Sequence, residues 1–413
     1  MTLIKTFVLT AVSTVIRIIS GFIINKILSI YVGPSGLALV GQFQNFSSIV
    51  TTFSNGAITQ GIVKYVAEYK DIGKKQKIFS TSTVITLVCS FLISMILILF
   101  NDYWSLLILK TNEYNNVFTI FGFTIFLYAL NINLLSILNG QKEIEKYILV
   151  NILSSIFLLF FTFLLTIKFY LLGALYALVL NQSIVFFITL ALSIKSKWFN
   201  IKYFLQGVDK DILKKLGKFS LMAITSAIAV PTSHIIVRGY IGNTLGWDSA
   251  GYWQGIWYVS NVYLMVITTA LGVYYLPRLS EIKDKNELKK EIIYGYKIIM
   301  PIVIILALSI YIYKEVIVKI LFTEKFMPML TLFKWQLIGD VIKIASWLLG
   351  NLMWAKEMAK LFIGSEIFFS LTWVILSLVC VKHFGLIGVT YAFTLNYFMY
   401  FLFLFLSFRR VLL

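Results

Sequence analysis

The chain has 413 residues, of which 59% are hydrophobic and only 13% are charged, and its formal net charge is +18. A soluble domain exposes far more charge than this, so the composition excludes a soluble protein and indicates a polytopic membrane protein. Most of the Lys and Arg residues lie in short loops between apolar segments, which argues against nucleic acid as a partner. The two cysteines form no recognisable metal or disulfide pattern.

Twelve apolar segments are long enough to cross a bilayer, because a hydrocarbon core of about 30 Å needs roughly 20 helical residues. In chain order they are 3–30, 36–66, 78–100, 114–138, 147–167, 170–194, 217–240, 249–279, 292–313, 327–354, 360–381 and 385–408. Several exceed the minimum length, which predicts tilted or extended helices. The predicted fold class is an all-α integral membrane protein with twelve transmembrane helices.

Basic residues alternate in density from one loop to the next. The loops 64–77, 195–218 and 278–297 are rich in lysine, whereas 31–36 has no basic residue and 101–113 has only Lys110. Because cytoplasmic loops carry the excess of Lys and Arg, this pattern places both termini in the cytoplasm. An even number of spans agrees with that orientation.

Three pairs of similar motifs recur at a spacing of 213–215 residues. They are EYKD at 68–71 with EIKD at 281–284, KEIEK at 142–146 with KEMAK at 356–360, and GALYALVLN at 173–181 with GVTYAFTLN at 388–396. This spacing predicts two pseudo-symmetric six-helix bundles of the same orientation, related by an axis along the membrane normal. We expect an N-terminal lobe at 1–200, a cytoplasmic linker at 201–216 and a C-terminal lobe at 217–413.

Basic side chains inside the predicted spans are the first candidates for function, because charge is costly in the membrane. Arg17 lies near the middle of the first span and Lys26 in its outer third, with no acidic residue in that span. In the seventh span, His234 and Arg238 are four residues apart and share a face. Lys26 and Arg238 could instead extend to the headgroups, and His234 could be a buried imidazole with its hydrogen bonds satisfied.

Polar residues of other spans complete the candidate set. Asp340 and Lys343 share one face of the tenth span, either as a structural i,i+3 pair or as an ion-coupling site. Asn45 in the second span and Gln254 and Trp257 in the eighth suit the hydroxyls and ring faces of a sugar. Tryptophan near a helix end is also an ordinary interface anchor.

Four segments carry a family resemblance: TAVSTVIRIISGFIINKILSIYVGPSGLALVGQF at 10–43, GIVKYVAEY at 61–69, GYWQG at 251–255 and KWQLIGDVIK at 334–343. They resemble the Wzx family of polysaccharide repeat-unit flippases, most of all its lipid III branch, which serves enterobacterial common antigen. That family is part of the MATE/MOP superfamily of multidrug and toxin extruders and lipid II flippases. The resemblance implies two bundles that form a V with alternating opening.

The resemblance also implies a function and a location. The substrate would be an undecaprenyl-pyrophosphate-linked oligosaccharide, either lipid III or an O-antigen unit, in the bacterial inner membrane. Arg17, Lys26 and Arg238 would hold the pyrophosphate, because guanidinium and ammonium groups offset its desolvation. Asp340, beside Lys343, would bind a coupling ion. Membrane lipids, a glycan polymerase and a chain-length regulator are the expected partners.

No catalytic residue, metal site or cofactor is expected, because the chain has two histidines and no glycine-rich phosphate loop or nucleotide motif. A drug or cation antiporter of the same fold is one alternative, but the excess of intramembrane Lys and Arg opposes a cationic substrate. A membrane-embedded glycan polymerase or ligase is another alternative. The short outer loops oppose it, since such an enzyme would need a large periplasmic loop.

Overall fold

The structure is a computed structural model that describes residues 3–356 and 358–412, with side chains described at all of these except 3–8, 218, 219, 222, 270, 273 and 410–412. All regular secondary structure in this part of the chain is helical. The prediction of an all-α protein is therefore confirmed for the described residues.

The first half of the chain forms helices α1–α7. Their bounds are α1 Leu3–Tyr31, α2 Gly33–Ser54, α3 Thr59–Glu68, α4 Ile72–Leu99, α5 Asn101–Leu109, α6 Asn115–Gly140 and α7 Ile144–Ile194, followed by a 3-10 helix at Ile201–Phe204. The predicted span 36–66 is two helices, because positive φ at Gly56 (66°) and Ala57 (56°) separates α2 from α3.

The second half forms helices α8–α15. Their bounds are α8 Lys210–Leu245, α9 Trp247–Ala270, α10 Leu276–Glu281, α11 Lys285–Ile312, α12 Lys314–Leu321, α13 Phe333–Ala355, α14 Ala359–Phe384 and α15 Gly388–Leu412. A π-helical turn at Leu271–Tyr275 joins α9 to α10, so the predicted span 249–279 also has a local break in its α-helical pattern. A 3-10 helix at Glu324–Leu332 leads into α13.

Seven segments of the described chain have the length and apolar composition to cross a membrane. They are Leu9–Tyr31, Ile72–Leu99, Asn115–Gly140, Ile144–Ile194, Lys285–Ile312, Glu324–Ala355 and Ala359–Arg409. Two of them have 51 residues and change direction at Tyr170 (φ 50°) and Gly385 (φ 66°). Each of these two is long enough for two crossings. The chain is therefore a multi-pass membrane protein.

The chain divides into two compact units, Met1–Val32 with Leu39–Pro231, and Gly33–Ala38 with Thr232–Leu413. This division falls at Pro231 inside α8, whereas the sequence predicted a linker at 201–216. The first turns of α8 belong to the first unit because Ile212 and Leu216 are part of its buried apolar core. In addition, the Ser220 hydroxyl donates to the Gly56 carbonyl at 2.9 Å.

A polar cluster joins the two ends of α7 in the first unit. Glu143 forms an ion pair with Lys146 at 2.7 Å and accepts hydrogen bonds from Ser196 and from the Trp198 indole. Burial by itself would raise the pKa of the Glu143 carboxyl, but the bonds from these three residues outweigh it and lower that pKa. The cluster therefore stabilises the fold above the ordinary carboxyl pKa, and this contribution is lost as the pH falls through the lowered pKa.

The repeated EYKD and EIKD motifs have the same local structure in both units. Asp71 precedes α4 and accepts a hydrogen bond from the Gly73 backbone N–H at 2.7 Å. Asp284 precedes α11 and accepts one from the Glu287 backbone N–H at 2.9 Å. Both aspartates are helix N-caps, which is the arrangement expected of an internal repeat.

The repeated GALYALVLN and GVTYAFTLN motifs each mark a sharp turn between two long helices. A Cβ atom added at Gly173 would overlap the carbonyl oxygen of Leu165, and one added at Gly388 would overlap that of Cys380. In both places the glycine packs on the backbone of the residue eight positions earlier. The helix that follows each turn can therefore lie directly against the helix that precedes it.

Candidate functional site

Arg238 is the most deeply buried of the predicted cationic residues. It lies on α8, seven residues after Pro231, and only 1% of its surface is exposed. Its Nη2 donates to Gln254 Oε1 at 2.5 Å, and its guanidinium lies 5.2 Å from the centre of the Trp253 ring. Both partners are on α9, which follows α8 after a turn at Gly246 (φ 88°). The structure therefore brings together Arg238 and Gln254, which the sequence had placed in separate spans.

A histidine lies among three tryptophans next to this pair. The His234 ring is 4.5 Å from Trp257, 5.6 Å from Trp253 and 6.1 Å from Trp373, measured between ring centres. Its Nδ1 is buried and has no hydrogen-bond partner among the described residues. His234 is therefore not the fully satisfied buried imidazole that the sequence favoured.

Lys343 lies in a cage of aromatic rings. Its Nζ is 5.1 Å from the centre of the Trp257 ring, 5.0 Å from Trp347 and 5.7 Å from Tyr397, and only 6% of the residue is exposed. Such rings attract a cation through the negative charge density of their faces, by about 2 kcal/mol or more when water is excluded. A buried ammonium group is thus held mainly by neutral partners.

Asp340 is fully buried on the same helix but has other partners. Its Oδ2 accepts a hydrogen bond from the Tyr263 hydroxyl at 3.0 Å, and its Oδ1 accepts one from Gln336 at 3.3 Å. Within the described chain, no ion pair shorter than 4.0 Å joins Asp340 to Lys343. The two groups therefore do not form a close ion pair, and the side chains that contact them belong to α9, α13 and α15.

The other predicted residues belong to the first unit. Arg17 is exposed on α1, and it makes no hydrogen bond or ion pair with any described residue. Lys26 on α1 and Asn45 on α2 are half-buried. Together with the second-unit residues, they form the full predicted set.

Sequence reasoning missed most of the aromatic side chains that surround the charges. Trp253, Trp347, Trp373 and Tyr397 were not predicted, and Trp257 was predicted only as a sugar contact. The signal present in the sequence was helical spacing, since Trp253 and Trp257, and Lys343 and Trp347, are four residues apart. The contacts between helices carry no comparable signal. No group of three or more His, Cys, Asp or Glu side chains that could hold a metal is found in the part of the chain that is described.

Comparison with known proteins agrees with this architecture. The chain is 28% identical over 404 residues to the lipid III flippase of Escherichia coli (strain K12), covering 97% of each chain. It superimposes with a TM-score of 0.79 and 15% identity on an inward-facing multidrug resistance MATE family transporter of the MOP superfamily, covering 96% of this chain and 98% of that one.

A second solved structure with the same fold is the lipid II flippase MurJ in an inward closed conformation. The TM-score is 0.72 and the identity 16%, covering 98% of this chain and 87% of that one. The fold of the MATE/MOP transporters is thus shown. A family model described as polysaccharide biosynthesis protein matches residues 41–331, which is more than half of the chain. The chain therefore belongs to the polysaccharide biosynthesis protein family.

Proposed function

We propose that the protein is a flippase that moves an undecaprenyl-pyrophosphate-linked oligosaccharide from the cytoplasmic to the periplasmic leaflet by alternating access. The observation that carries this proposal is the pair of buried cations, Arg238 and Lys343, set among Gln254 and aromatic rings in an apolar helical unit. The relatives that are named lipid III flippases support the same function.

The physical reason is the cost of transferring an anion. A pyrophosphate diester carries two negative charges, and its passage through an apolar interior is prohibitive unless cations replace its hydration. A guanidinium group can hold two phosphate oxygens with two parallel N–H bonds from a planar fork, a geometry that an ammonium group lacks. Buried cations repel a cationic substrate, so a drug or cation antiporter is less well supported as the function.

We assign the proposed roles as follows. Arg17, Lys26 and Arg238 hold the pyrophosphate, and Asn45, Gln254 and Trp257 contact the sugars. Asp340 and Lys343 couple transport to an ion, with Asp340 exchanging its bonds from Tyr263 and Gln336 for that ion. The polyprenyl tail stays in the lipid, and no covalent step is required.

We further propose that the chain crosses the bacterial inner membrane twelve times with both termini in the cytoplasm. The alternation of lysine-rich and lysine-poor loops supports this topology. Lipid III and an O-antigen unit are the two substrate candidates. A glycan polymerase and its chain-length regulator would use the flipped product, and membrane lipids would surround the protein.

The test is complementation of a bacterial strain that lacks its own flippase for this glycan. The wild-type chain should restore surface glycan, and Arg238→Gln should reduce it at least tenfold while lipid-linked precursor accumulates in the inner leaflet. Arg238→Lys should restore part of the activity, because it keeps the charge but not the planar fork.

The matched control is Arg278→Gln. Arg278 is half-exposed and forms ion pairs with Glu281 and Glu287, so its loss removes one positive charge outside the proposed site. Protein abundance is measured for each variant by immunoblot. Failure of the wild-type chain to flip the lipid-linked glycan in proteoliposomes would falsify the proposal.

A further inference from the structure

A polar pocket lies inside the first unit, and none of the cations described above lines it. It is formed by α2, α6 and α7 and has a volume of about 290 Å³. The polar side chains that line it are Gln44, Ser47, Ser48, Thr51, Tyr128, Asn181 and Gln182. Phe121 contributes an apolar wall, and no charged residue lines the pocket. It is thus a neutral polar site in an otherwise apolar bundle.

The pocket contains polar atoms without partners. Asn181 is 4% exposed, and its Nδ2 donates to Ser154 Oγ at 3.2 Å. Its Oδ1 and the hydroxyl of Ser47 are buried with no hydrogen-bond partner among the described residues. Leaving such a group unsatisfied costs about 1–3 kcal/mol, so side chains of this kind are suited to a polar ligand.

Two of the pocket residues have corresponding positions in the second unit through the internal repeat. At the spacing of 215 residues, Asn181 corresponds to Asn396 and Gln182 to Tyr397. Asn396 Oδ1 accepts a hydrogen bond from Thr372 at 3.0 Å, and Tyr397 forms one wall of the Lys343 cage. In the second unit the amide oxygen of Asn396 therefore has a hydrogen-bond partner from the chain itself, whereas in the first unit the amide oxygen of Asn181 has none among the described residues.

The chemistry of the lining limits the ligand. Amides and hydroxyls can both donate and accept, which matches the hydroxyls and acylated amines of a sugar. Aromatic rings such as those of Phe121 and Tyr128 can pack on the apolar face of the same sugar. Known ligand pockets run from about 300 to 1,000 Å³, so this one is at the small end and can hold one sugar residue but not a whole oligosaccharide.

We propose that this pocket binds one neutral sugar residue of the lipid-linked glycan and so contributes to glycan selectivity. The inference rests on the proposed flippase function, but it adds a site in the first unit that is separate from the anion-binding cations. Exposed Gln44 and Ser48 mark its opening.

The test compares two probes on the purified full chain in lipid nanodiscs. One is undecaprenyl pyrophosphate, and the other is the pyrophosphate-linked glycan extracted from the source organism. The variant is Thr51→Val with Tyr128→Phe. Both side chains line the pocket, and Thr51 Oγ1 donates to the Ser48 carbonyl of its own helix at 3.2 Å, so removing both hydroxyls takes two polar groups from the pocket while the side chains keep their shapes. The double variant should bind the glycan about tenfold more weakly and undecaprenyl pyrophosphate with unchanged affinity.

The matched control is Thr124→Val on α6. Its hydroxyl bonds to the Ile120 carbonyl of its own helix at 2.9 Å and does not line the pocket, so both affinities should remain at the wild-type value. Unchanged glycan affinity in the double variant overturns the inference. Binding of radioactive sodium is measured on the same proteins. If the double variant loses sodium binding and keeps its glycan affinity, the inference is also overturned, because the pocket would then bind a cation. If the wild-type chain binds neither lipid, the proposed function itself fails.

A second measurement does not depend on the stability of the double variant. Ser48→Cys, in a chain with Cys89→Ser and Cys380→Ser, places a thiol at the pocket opening. The glycan should slow its reaction with a small thiol reagent at least threefold, and undecaprenyl pyrophosphate should not. Equal protection by the two probes, or none, would contradict a sugar site.

Discussion

The burial of Lys343 is the clearest case in this protein of a side chain whose position lowers stability. An ammonium group buried in an apolar unit costs several kcal/mol, and an aromatic cage offsets only part of that cost. Asp340, three residues earlier, accepts its hydrogen bonds from Tyr263 and Gln336 instead. A charge retained at such a cost indicates a role in binding or coupling.

The first prediction at this scale concerns Lys343→Met. Methionine fits among aromatic rings and removes the desolvation cost, so the variant should be at least as stable as the wild type in a thermal unfolding assay. Complementation of surface glycan should nevertheless fail. Lys334→Met is the control, because Lys334 is exposed, and it should change neither quantity. A Lys343→Met variant that unfolds earlier would show that the charge is structural.

The helices are paired by turns whose geometry depends on single glycines. Gly173 in the first unit and Gly388 in the second lie against backbone carbonyl groups, and both follow a residue with positive φ, at Tyr170 and Gly385. The correspondence of GALYALVLN with GVTYAFTLN was one of three motif pairs from which the sequence predicted an internal repeat. The structure adds the reason for the shared glycine, which is direct contact between adjacent helices.

The prediction for these elements is that Gly388→Ala destabilises the protein. The added Cβ would overlap the Cys380 carbonyl, a backbone atom that cannot rotate away, so we expect a loss of about 3 kcal/mol and a clear fall in thermal unfolding temperature in detergent. Gly364→Ala is the control. Gly364 lies in the interior of α14 with no atom within 4 Å of an added Cβ, and its substitution should stabilise by about 0.4–1 kcal/mol. An equal change in unfolding temperature for Gly388→Ala and Gly364→Ala would refute this account of the turn.

At the scale of the whole molecule, the chain has the fold of transporters with very different substrates. Its similarity to a multidrug MATE transporter and to MurJ at 15% and 16% identity shows that this fold is kept while side chains change. Function must therefore be argued from the residues that line each unit. The residues that we propose for these roles are Arg238, Lys343 and Asp340 in the second unit and the neutral pocket at Asn181 and Gln182 in the first.

The prediction for the whole molecule is its orientation. In a chain with Cys89→Ser and Cys380→Ser, a cysteine at exposed Leu205 should react with a membrane-impermeant reagent only after the inner membrane is permeabilised. A cysteine at exposed Lys110 should react in intact spheroplasts, because that loop lies on the lysine-poor side. Labelling of position 205 in intact spheroplasts would reverse the proposed topology.

The sequence by itself determined the class of protein and the positions of the helices. Apolar segments of about 20 residues have few alternatives to helices in a bilayer, so the predicted limits agree with α1 and α6 within two residues, whereas α4 and α11 begin six and seven residues earlier than predicted and α7 covers two predicted spans. Repeated motifs also predicted an internal repeat, and the equivalent turns of the two units lie at those motifs. These features depend on local composition, which is why they can be read without a structure.

Only the tertiary structure decided which side chains meet. Helical spacing placed Asp340 and Lys343 on one face, but two of their partners, Tyr263 and Trp257, come from α9. The Arg238 contact with Gln254 and the pocket at Asn181 likewise join residues of different helices. Side-chain periodicity along one helix carries no record of the neighbouring helix, so packing between helices had to supply these contacts.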